Sequence, residues 1–391
     1  MTARNLRHLR LLVAVANTGS LTQAAEQSHF SQPAVSQAIG KLERYHGGAL
    51  FDRTRHGVFA TARGEALTAR VRRAFDLLDP ALADVSPRLT LTATTAQLQA
   101  LVAAFETENF TLAARRLNLA QPTVHRTISQ LEKEAGRTLF ERTSYGLVPA
   151  RRTRTLVQAV MLAFREFDQA EADLAEMDGG DAGRIVVGSL PLSRSVLLPQ
   201  ALVAFHRQRP RQTVTVIDGR YGELLSGLRR GEIDVIVGAL RYPAPIEDIV
   251  QERLFDDGLA ILAGRHHPLV GESSVSRETL RACNWVVPRP GTPARAQFDA
   301  FFGEGGAPQS IIEAGSILLM REILGNSDHL GCISSAQAQA ELRQGLVEEV
   351  TADMTWRGRP IGLTYRVGWA PTVAQTLLLD LLRETARNLM Q

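Results

Sequence analysis

The N-terminal part of the chain contains one sequence pattern twice. Shifting the 391-residue chain by 89 positions without a gap brings many identical residues into register. Self-similarity this extended indicates a tandem repeat, so the fold must contain the same unit twice. The matched pairs are Leu9 and Leu98, Ala24-Ala25 and Ala113-Ala114, Gln32-Pro33 and Gln121-Pro122, Val35 and Val124, Ile39 and Ile128, Leu42-Glu43 and Leu131-Glu132, Leu50-Phe51 and Leu139-Phe140, Arg53-Thr54 and Arg142-Thr143, and Gly57 and Gly146.

A stretch beginning at Ser31 predicts an amphipathic helix in the first copy, called copy 1. Val35, Ile39 and Leu42 recur at helical spacing and form one apolar stripe. Ser31 is a favourable N-cap and Pro33 suits a first turn, so the helix should begin sharply, with backbone N–H groups free to face a phosphate. The polar side chains opposite can contact base edges in a major groove, although an ordinary solvated helix face has a similar composition. They are Gln32, Ser36, Gln37, Lys41 and Arg44.

The neighbouring segments predict a winged helix-turn-helix around this helix. Leu21 to Gln27 predicts a short helix containing two alanines, and Ser28 to Phe30 leaves room only for a tight turn. Leu50 to Phe59 predicts a short hairpin with Gly57 at its turn and Arg53 placed for the sugar-phosphate backbone. We therefore predict two winged helix-turn-helix domains, both rich in α-helix.

The second copy, called copy 2, has a different polar face. Ala120 stands where copy 1 has a serine N-cap, a loss of roughly 1 kcal/mol, and His125 and Arg126 replace a serine and a glutamine. We expect both helices to bind DNA without reading the same bases; alternatively, copy 2 is a packing or dimerisation module. The candidate DNA-contacting residues are Ser31, Gln32, Pro33, Ser36, Gln37, Lys41 and Arg53 in copy 1, and Gln121, Thr123, His125, Arg126 and Arg142 in copy 2.

Each copy is followed by a helical pattern. After copy 2, apolar residues alternate spacings of four and three, which predicts a long linker helix used for dimerisation. They are Leu156, Val160, Ala163, Phe167, Ala170, Leu174 and Met177. After copy 1, the pattern runs from Leu67 to Leu78 and meets Pro80 and then Pro87. Because proline removes a helical hydrogen bond and clashes with the preceding turn, we predict a truncated helix with a connector over residues 79–93.

Gly179 to Gly183 forms a flexible break, beyond which apolar strands alternate with helices. This rhythm predicts a parallel α/β layer, and its recurrence predicts two sub-domains. The predicted strands are Arg184–Gly188, Thr213–Asp218, Asp234–Gly238, Trp285–Val287, Ser310–Glu313, Leu330–Ile333 and Ile361–Val367. The predicted helices are Val196–Arg207, Glu223–Arg230, Ala294–Phe302, Ile317–Leu324, Ala336–Arg343 and Val373–Met390.

Two such sub-domains predict a ligand cleft between them. Strand ends and helix N-termini line a cleft of this kind, which is the usual place for a small ligand. Hydroxyls and free N–H groups there suit an anionic or polyhydroxylated ligand. Each serine alone would serve equally as a helix cap, and only their common placement at strand ends favours a cleft. The candidate effector-binding residues are Ser189, Ser193, Tyr221, Gly238 and Ser316.

No sequence pattern indicates catalysis or metal binding. His266-His267-Pro268 has no metal-spaced partners nearby and is interpreted as a surface turn. Because the sequence has no phosphate loop, paired carboxylates or nucleophile elbow, we predict no enzymatic activity, no cofactor and no metal. Cys283 and Cys332 are interpreted as buried free thiols in a reducing compartment.

The charge distribution and the composition indicate a soluble protein with a basic N-terminal part. Residues 1–78 hold eleven Lys or Arg against five Asp or Glu, so positive charge is concentrated around copy 1. The hydrophobic content of 45% and the charged content of 22% are typical of soluble globular proteins. Because the N-terminus has no charged-then-apolar leader and no run could span a bilayer, we expect a cytoplasmic protein without a membrane partner.

These motifs resemble the LysR-type family of bacterial transcriptional regulators. The resemblance rests on Gly19 to Ala25, Ser31 to Gln37, Leu42-Glu43, Leu50 to Thr54, and Arg184 to Leu269, including Leu198-Pro199, Gly231 to Asp234 and His267 to Leu269. It implies a DNA-binding head, a linker helix and a periplasmic-binding-protein-like effector domain, in a homodimer or homotetramer whose promoter binding responds to a small molecule. RNA polymerase is a further expected partner. Ordinary members have one head, so the second copy is a departure.

The expected domains are copy 1 at 1–62, a truncated linker helix and connector at 63–93, copy 2 at 94–151, a linker or dimerisation helix at 152–178 and an effector domain at 183–391. We hypothesise that copy 1 is the main base reader because it keeps Ser31 and Ser36. Two other functions fit parts of the sequence. A solute-binding or sensor protein would share the C-terminal architecture but carry an export signal, and an enzyme with an attached DNA-binding domain would need a catalytic or cofactor motif in the cleft.

Overall fold

The computed structural model describes residues 4–303, 306–353, 356 and 358–389. The chain divides into two compact units, unit 1 over Met1–Arg184 and unit 2 over Ile185–Gln391. None of the described helices combines the length and the apolar character needed to cross a bilayer.

Copy 1 folds as three helices followed by a two-stranded wing. Val35, Ile39 and Leu42, the predicted apolar stripe of the third helix, are all buried. Ser31 caps this helix by accepting a hydrogen bond from the N–H of Ala34, which confirms the predicted N-cap. The elements are α1 Leu6–Thr18, α2 Leu21–Ser28, α3 Gln32–His46, β1 Phe51–Thr54 and β2 Gly57–Ala60.

Copy 2 repeats this fold down to individual hydrogen bonds. The N–H of Val58 donates to the carbonyl of Gly19 at 2.8 Å, and the equivalent N–H of Leu147 donates to the carbonyl of Glu108 at 2.8 Å. The predicted tandem repeat is therefore confirmed. The next elements along the chain are α4 Ala62–Val85, α5 Leu89–Thr92, α6 Thr95–Thr107, α7 Phe110–Leu117, α8 Gln121–Ala135, β3 Phe140–Thr143, β4 Gly146–Pro149 and α9 Arg151–Met177.

Helix α4 continues through Pro80, so the predicted truncation at this residue is wrong. Pro80 lies on the exposed side of the helix, where the carbonyl group that loses its partner faces solvent, whereas Leu82 and Val85 are buried on the other side. Burial of the apolar side outweighs the missing hydrogen bond, because packing supplies most of the stability of helices in proteins. The helix ends two residues before Pro87, where a proline disfavours helical backbone in the residue ahead of it.

The Pro80→Ala variant is expected to be more stable than the parent by about 2 kcal/mol. A proline inside a helix costs about 3 kcal/mol relative to alanine, and the greater freedom of the unfolded alanine chain offsets part of this gain. Hydrogen exchange of α4 amides in the full chain measures the change. As a matched control, Ala83→Gly at another exposed position of α4 should lower stability by about 1 kcal/mol. A Pro80→Ala variant without any gain would contradict the continuous helix.

Helices α4 and α9 pack against each other in opposite directions. Near the start of α4, Arg63 Nη1 lies 2.7 Å from Asp178 Oδ1, just beyond the end of α9. At the start of α9, Arg152 Nε lies 3.5 Å from Asp84 Oδ2, near the end of α4. The apolar stripe of α9 is buried from Leu156 to Leu174 in a core shared with α4. The face that the sequence predicted for dimerisation is therefore covered by a helix of the same chain.

Unit 2 contains two sub-domains, each built on a five-stranded sheet. The first sheet has the strand order β6-β5-β7-β14-β8, and the second has the order β11-β10-β12-β9-β13. The strands are β5 Arg184–Ser189, β6 Thr213–Asp218, β7 Val235–Ala239, β8 Ile249–Asp257, β9 Leu259–Ala263, β10 Asn284–Val287, β11 Ile311–Glu313, β12 His329–Ser334, β13 Glu348–Glu349 and β14 Arg359–Arg366. The helices are α10 Leu197–Gln208, α11 Tyr221–Arg229, α12 Arg277–Ala282, α13 Pro293–Phe302, α14 Ile317–Gly325, α15 Ser335–Arg343 and α16 Val373–Leu389.

Both sheets are mixed, whereas the sequence predicted a parallel layer. Strand β14 is antiparallel to β7 and β8, and β9 is antiparallel to β12 and β13. The chain changes sub-domain between β8 and β9 and again between β13 and β14, and a strand that enters a sheet in this way lacks the helical crossover that sets a parallel direction. The sequence did not predict β8, β9, β13 or α12. The last predicted helix agrees as far as Leu389, and Met390 lies outside the described residues.

Candidate nucleic-acid interface and ligand cleft

The polar face predicted for α3 lies on the surface of copy 1. Gln32, Pro33, Gln37 and Lys41 are exposed, and Ser36 is half-buried. In the wing, the exposed Arg53 places its Nη2 atom 3.5 Å from Ser36 Oγ, so the structure brings a wing arginine to the middle of the helix face. Amide, hydroxyl and cationic groups are therefore presented together, as contact with base edges and phosphates requires.

Basic side chains surround this face. Burial and, in addition, the positive charges of Lys41 and Arg7 lower the pKa of His8, which shows that these groups lie close together in α1 and α3. Lys41 and Arg7 carry the positive charge of this cluster. Phosphate backbones bind such clusters with release of counterions.

Copy 2 presents the equivalent surface with different groups. Arg142, the equivalent of Arg53, contacts His125 Nε2, and its guanidinium carbon lies 5.6 Å from the ring centroid of Phe110. The His125 ring also meets Phe110 edge-on at 5.4 Å. The predicted loss of the N-cap is confirmed, since Ala120 makes no side-chain cap. The remaining candidates, Gln121, Thr123 and Arg126, are exposed.

The five residues predicted for the ligand cleft make mainly local interactions. Ser189 Oγ donates to Asp218 Oδ1 at 2.9 Å, and Ser193 Oγ donates to the carbonyl of Leu190 at 2.9 Å. Ser316 is exposed and caps α14 by accepting from the N–H of Leu319. Gly238 has φ +150°, and a Cβ there would lie 2.5 Å from Leu190 Cβ. Ser193 and Gly238 therefore meet around one leucine rather than around an open space.

A cavity of about 440 Å³ lies between the residues that follow β7 and the start of α13. Such a volume suits a small organic ligand. None of the five predicted residues is among the described residues that line it. Those residues are Leu240, Arg241, Tyr242, Pro290, Gly291, Thr292, Pro293, Arg295, Ala296 and Asp299.

Arg241 is the cavity residue whose charge is least compensated. Its backbone is held by Gln251, which accepts from its N–H at 2.9 Å and donates to its carbonyl at 2.7 Å. Its guanidinium carbon lies 4.9 Å from the ring centroid of Tyr221, the one predicted cleft residue that reaches this place. Burial lowers the pKa of Arg241 and raises the pKa of Tyr221. Arg241 has no carboxylate partner among the described residues, in contrast to Arg295, which pairs with two acids.

A second arginine, Arg359, adds positive charge nearby. Its side chain is only 11% exposed, and Nη2 lies 3.4 Å from Asp257 Oδ2, while Nη1 lies 3.4 Å from Gln297 Oε1. Its Nε atom is buried and has no hydrogen-bond partner among the described residues. Burial lowers the pKa of Arg359, and the charge of Arg241 is a further cause. Arg359 is already paired with Asp257, whereas Arg241 has no carboxylate partner among the described residues, so an anionic ligand would offset the desolvation of Arg241.

Sequence reasoning missed both arginines. Arg241 lies three residues beyond Gly238, in the loop that follows this strand end. The strand-end prediction therefore identified the correct loop but did not include Arg241. Arg359 begins β14, and only the fold brings this strand beside the cavity. No local pattern marks Arg359 in the sequence.

The His266-His267 pair and the two cysteines lie in local structure of unit 2. His267 Nδ1 accepts the N–H of Leu269 at 3.1 Å, which fits the predicted turn, although His267 itself is buried. No group of His, Cys, Asp and Glu suited to a metal occurs in the described part of the chain. Both cysteines are free; Cys332 is buried as predicted, whereas Cys283 is only half-buried.

Thiol labelling at neutral pH is expected to modify Cys283 slowly and to leave Cys332 unmodified in the folded chain. Burial raises the pKa of Cys332 to about 12 and also raises that of Cys283. Because the thiolate is the reactive form, both thiols are predominantly protonated at neutral pH, and labelling should accelerate as pH rises. A Cys283→Ser variant should then label only after denaturation. Rapid labelling of that variant in its folded state would contradict this burial.

Comparison with known proteins identifies the family. A profile described as the bacterial regulatory helix-turn-helix protein of the lysR family matches twice, at residues 6–65 and 95–153. A profile described as the LysR substrate binding domain matches residues 178–387, more than half of the chain. The protein belongs to the LysR family. It is thus a DNA-binding transcriptional regulator of LysR type with two helix-turn-helix regions and a substrate-binding domain.

Among LysR-type relatives, the HTH-type transcriptional regulator GalR of Pseudomonas putida is 33% identical over 385 residues, which cover 97% of each chain. The uncharacterized regulator YdcI of Escherichia coli is 29% identical and covers 70% of this chain and 89% of its own length. The regulator PcaQ of Agrobacterium fabrum is 26% identical and covers 75% and 94%. Unlike the GalR match, the latter two leave a quarter or more of this LysR-type chain unmatched.

Solved structures share the LysR-type fold. Full-length OxyR from Pseudomonas aeruginosa superposes with a TM-score of 0.55 at 20% identity, covering 75% of this chain and 94% of its own. The LysR family regulator CbnR gives a TM-score of 0.51 at 23% identity, covering 74% and 98%. CbnR complexed with its target DNA gives 0.52 at 21% identity, with the same coverage. These similarities support the fold, a helix-turn-helix region joined through a helical linker to a two-sub-domain α/β domain.

Proposed function

We propose that this LysR-type regulator contacts promoter DNA through the exposed faces of α3 and α8 and responds to a small carboxylate bound at Arg241. The observation that carries the first part is the pair of exposed polar helix faces, each joined by a wing arginine. Arg53 reaches Ser36 in copy 1, and Arg142 reaches His125 in copy 2. In each face the wing and the helix form one surface that spans base edges and phosphates.

The second part of the proposal rests on the charge balance of the cavity. Arg241 is partly desolvated and lies over the ring of Tyr221, and Arg359 nearby has a buried Nε atom without a hydrogen-bond partner in the described part of the chain. A carboxylate would accept hydrogen bonds from a guanidinium group in a fork geometry, with an aromatic ring completing the site. A ligand at this place would contact the loop after β7 in one sub-domain and α13 in the other. It changes DNA binding only to the extent that it binds two arrangements of the protein with different affinity.

We further propose that the protein works in the cytoplasm as a homo-oligomer and contacts RNA polymerase at the promoter. The membership in a family of transcriptional regulators supports this setting. Binding of the purified protein to its own upstream region, measured at several salt concentrations, tests the DNA part. We expect affinity to fall steeply as salt rises, because phosphate contacts release counterions. Equal affinity for the upstream region and for unrelated duplexes at every salt concentration would refute a specific regulator.

The Arg241→Met variant is expected to bind a carboxylate effector roughly 10- to 150-fold more weakly, because a hydrogen bond to a charged group contributes about 1.5–3 kcal/mol. Thermal-shift titration of the full chain with succinate, citrate, benzoate and sulfate measures this loss. Arg253→Met is the matched control, because Arg253 is exposed and pairs with Asp256 outside the cavity lining. A panel that leaves the parent protein's melting temperature unchanged, or that acts equally on both variants, would contradict the carboxylate site.

A further inference from the structure

The contacts between α4 and α9 relate the two copies by an approximate twofold axis. Arg63 and Arg152 occupy equivalent positions, 89 residues apart. Each begins its own helix and reaches an aspartate near the far end of the other helix, Asp178 and Asp84 respectively. These two aspartates are five residues apart in the repeat register, so the symmetry is approximate. Reciprocal contacts of this kind are the mark of a twofold arrangement, which usually requires two chains. Here one chain supplies both halves.

The middle of the same helix pair is not symmetric. Arg70 of α4 has a side chain that is only 4% exposed, and its Nη1 atom lies 3.2 Å from Glu166 Oε2 of α9. Its Nε atom lies 2.7 Å from Asp173 Oδ2, and its Nη1 atom donates to Gln169 Oε1 at 2.9 Å. The cation of this buried network belongs to α4, and the acids belong to α9.

The equivalent positions show why like helices would pair poorly. Copy 2 has Ala159 where copy 1 has Arg70, and copy 1 has Leu77 where copy 2 has Glu166. Two α9 helices in this packing would bury carboxylates without an arginine at the position of Ala159. Two α4 helices would place Arg70 beside Leu77 in place of Glu166, so that of its two acidic partners only the equivalent of Asp173, Asp84, would remain. Removing one partner of a buried ion pair is strongly unfavourable. The network therefore selects the unlike pair, as buried polar residues do in specific helix pairs.

We propose that a single chain of this protein forms a complete two-headed DNA reader, with its linker helices paired in cis, and that this reader recognises an operator of two unlike half-sites. The operator part rests on the proposed function, since it assumes that both helix faces contact bases. The half-sites must differ because the reading surfaces differ. Copy 1 presents Ser36, Gln37 and Lys41 where copy 2 presents His125, Arg126 and Gln130.

Cross-linking of the full chain tests the pairing in cis. Asp84 and Arg152 are both about half-exposed and in contact, so cysteines there should not disturb the core. We expect the Asp84→Cys/Arg152→Cys variant, in a Cys283→Ser background, to form an internal cross-link with a short bismaleimide and to keep the mass of one chain on denaturing gels. The single-cysteine variants control for random coupling. A product with the mass of two chains, formed only in the double variant, would show exchanged helices and overturn the proposal. Absence of both products would overturn the α4–α9 contact itself.

Selection of bound sequences from random duplexes tests the operator. With the full chain we expect two different half-sites in a fixed order and spacing. Gln37→Ala should relax the sequence preference in one half-site, and Arg126→Ala should relax it in the other. Recovery of an inverted repeat of identical half-sites would overturn the unlike-reader proposal. Recovery of no preferred sequence would overturn the proposed function and the operator part together, while the cross-link still decides the pairing in cis.

Discussion

Replacing Arg70 with methionine is expected to lower the free energy of unfolding of unit 1 by about 3–5 kcal/mol. The substitution leaves Glu166, whose side chain is 9% exposed, and Asp173 without their buried cation. Hydrogen exchange of α4 and α9 amides in the full chain measures the effect, because the slowest amides of a unit report its opening free energy. Protection should fall by roughly two to four orders of magnitude.

The neighbouring Arg73 provides a matched control for this prediction. Arg73 lies on the same helix and contacts the same Glu166 at 3.4 Å, but its side chain is 39% exposed. The Arg73→Met variant should therefore lose no more than about 1 kcal/mol. Adding Glu166→Gln and Asp173→Asn to Arg70→Met should restore part of the stability, because it removes the stranded charges. Equal effects of the two arginine variants would show that burial of the network does not matter.

Alanine at both Gln32 and Lys41 is expected to weaken operator binding by about 2–6 kcal/mol, because each specific base contact contributes about 1–3 kcal/mol. Alanine at both Gln121 and Arg126 should cost less. The reason is that the start of α3 is held by Ser31, whereas the start of α8 has no side-chain cap, and a firmer helix end places base contacts more accurately. Affinities measured at one fixed salt concentration provide the comparison.

Variants outside the base-reading positions separate this effect from general loss of charge. Arg55→Ala, at the exposed tip of the wing in copy 1, should weaken binding to all duplexes to a similar extent and reduce the salt dependence. Equal losses from the two double variants would contradict the ranking of copy 1 above copy 2. A larger loss from the Gln121 and Arg126 changes would assign the main reading role to copy 2.

Local patterns in the sequence predicted α2, α3 and the wing hairpin, and through the repeat their equivalents in copy 2, because the information lies within a few neighbouring residues; α1, α5 and α6 were not predicted. The apolar spacing of Val35, Ile39 and Leu42 and the cap at Ser31 both specify α3 without reference to the rest of the chain. The continuation of α4 through Pro80 could not be predicted in this way, since it depends on burial against α9. Periodicity showed an apolar stripe on α9 but could not identify what covers it.

The ligand site was harder to predict for a related reason. The sequence places serine hydroxyls at strand ends, where they could bind a ligand. In the structure, however, the Ser189 hydroxyl donates to Asp218 and the Ser193 hydroxyl donates to the carbonyl of Leu190. Whether a polar group is satisfied depends on neighbours that only the fold brings together. Arg241 and Arg359 stand out through desolvation and incomplete pairing, and neither property can be read from residue type or spacing.

The cation of the α4–α9 network lies on α4 and its acids lie on α9. This asymmetry affects which amino-acid substitutions the regulator can accumulate during evolution. In an assembly of identical subunits, every amino-acid replacement occurs on both sides of the axis, so an improvement on one side is repeated on the other whether or not it helps there. Because Arg70 and the Glu166–Asp173 pair lie in separately encoded helices of one polypeptide, each side can acquire its own substitutions. If both copies read DNA as proposed, the joined arrangement would allow promoters without dyad symmetry to come under control of a single gene product.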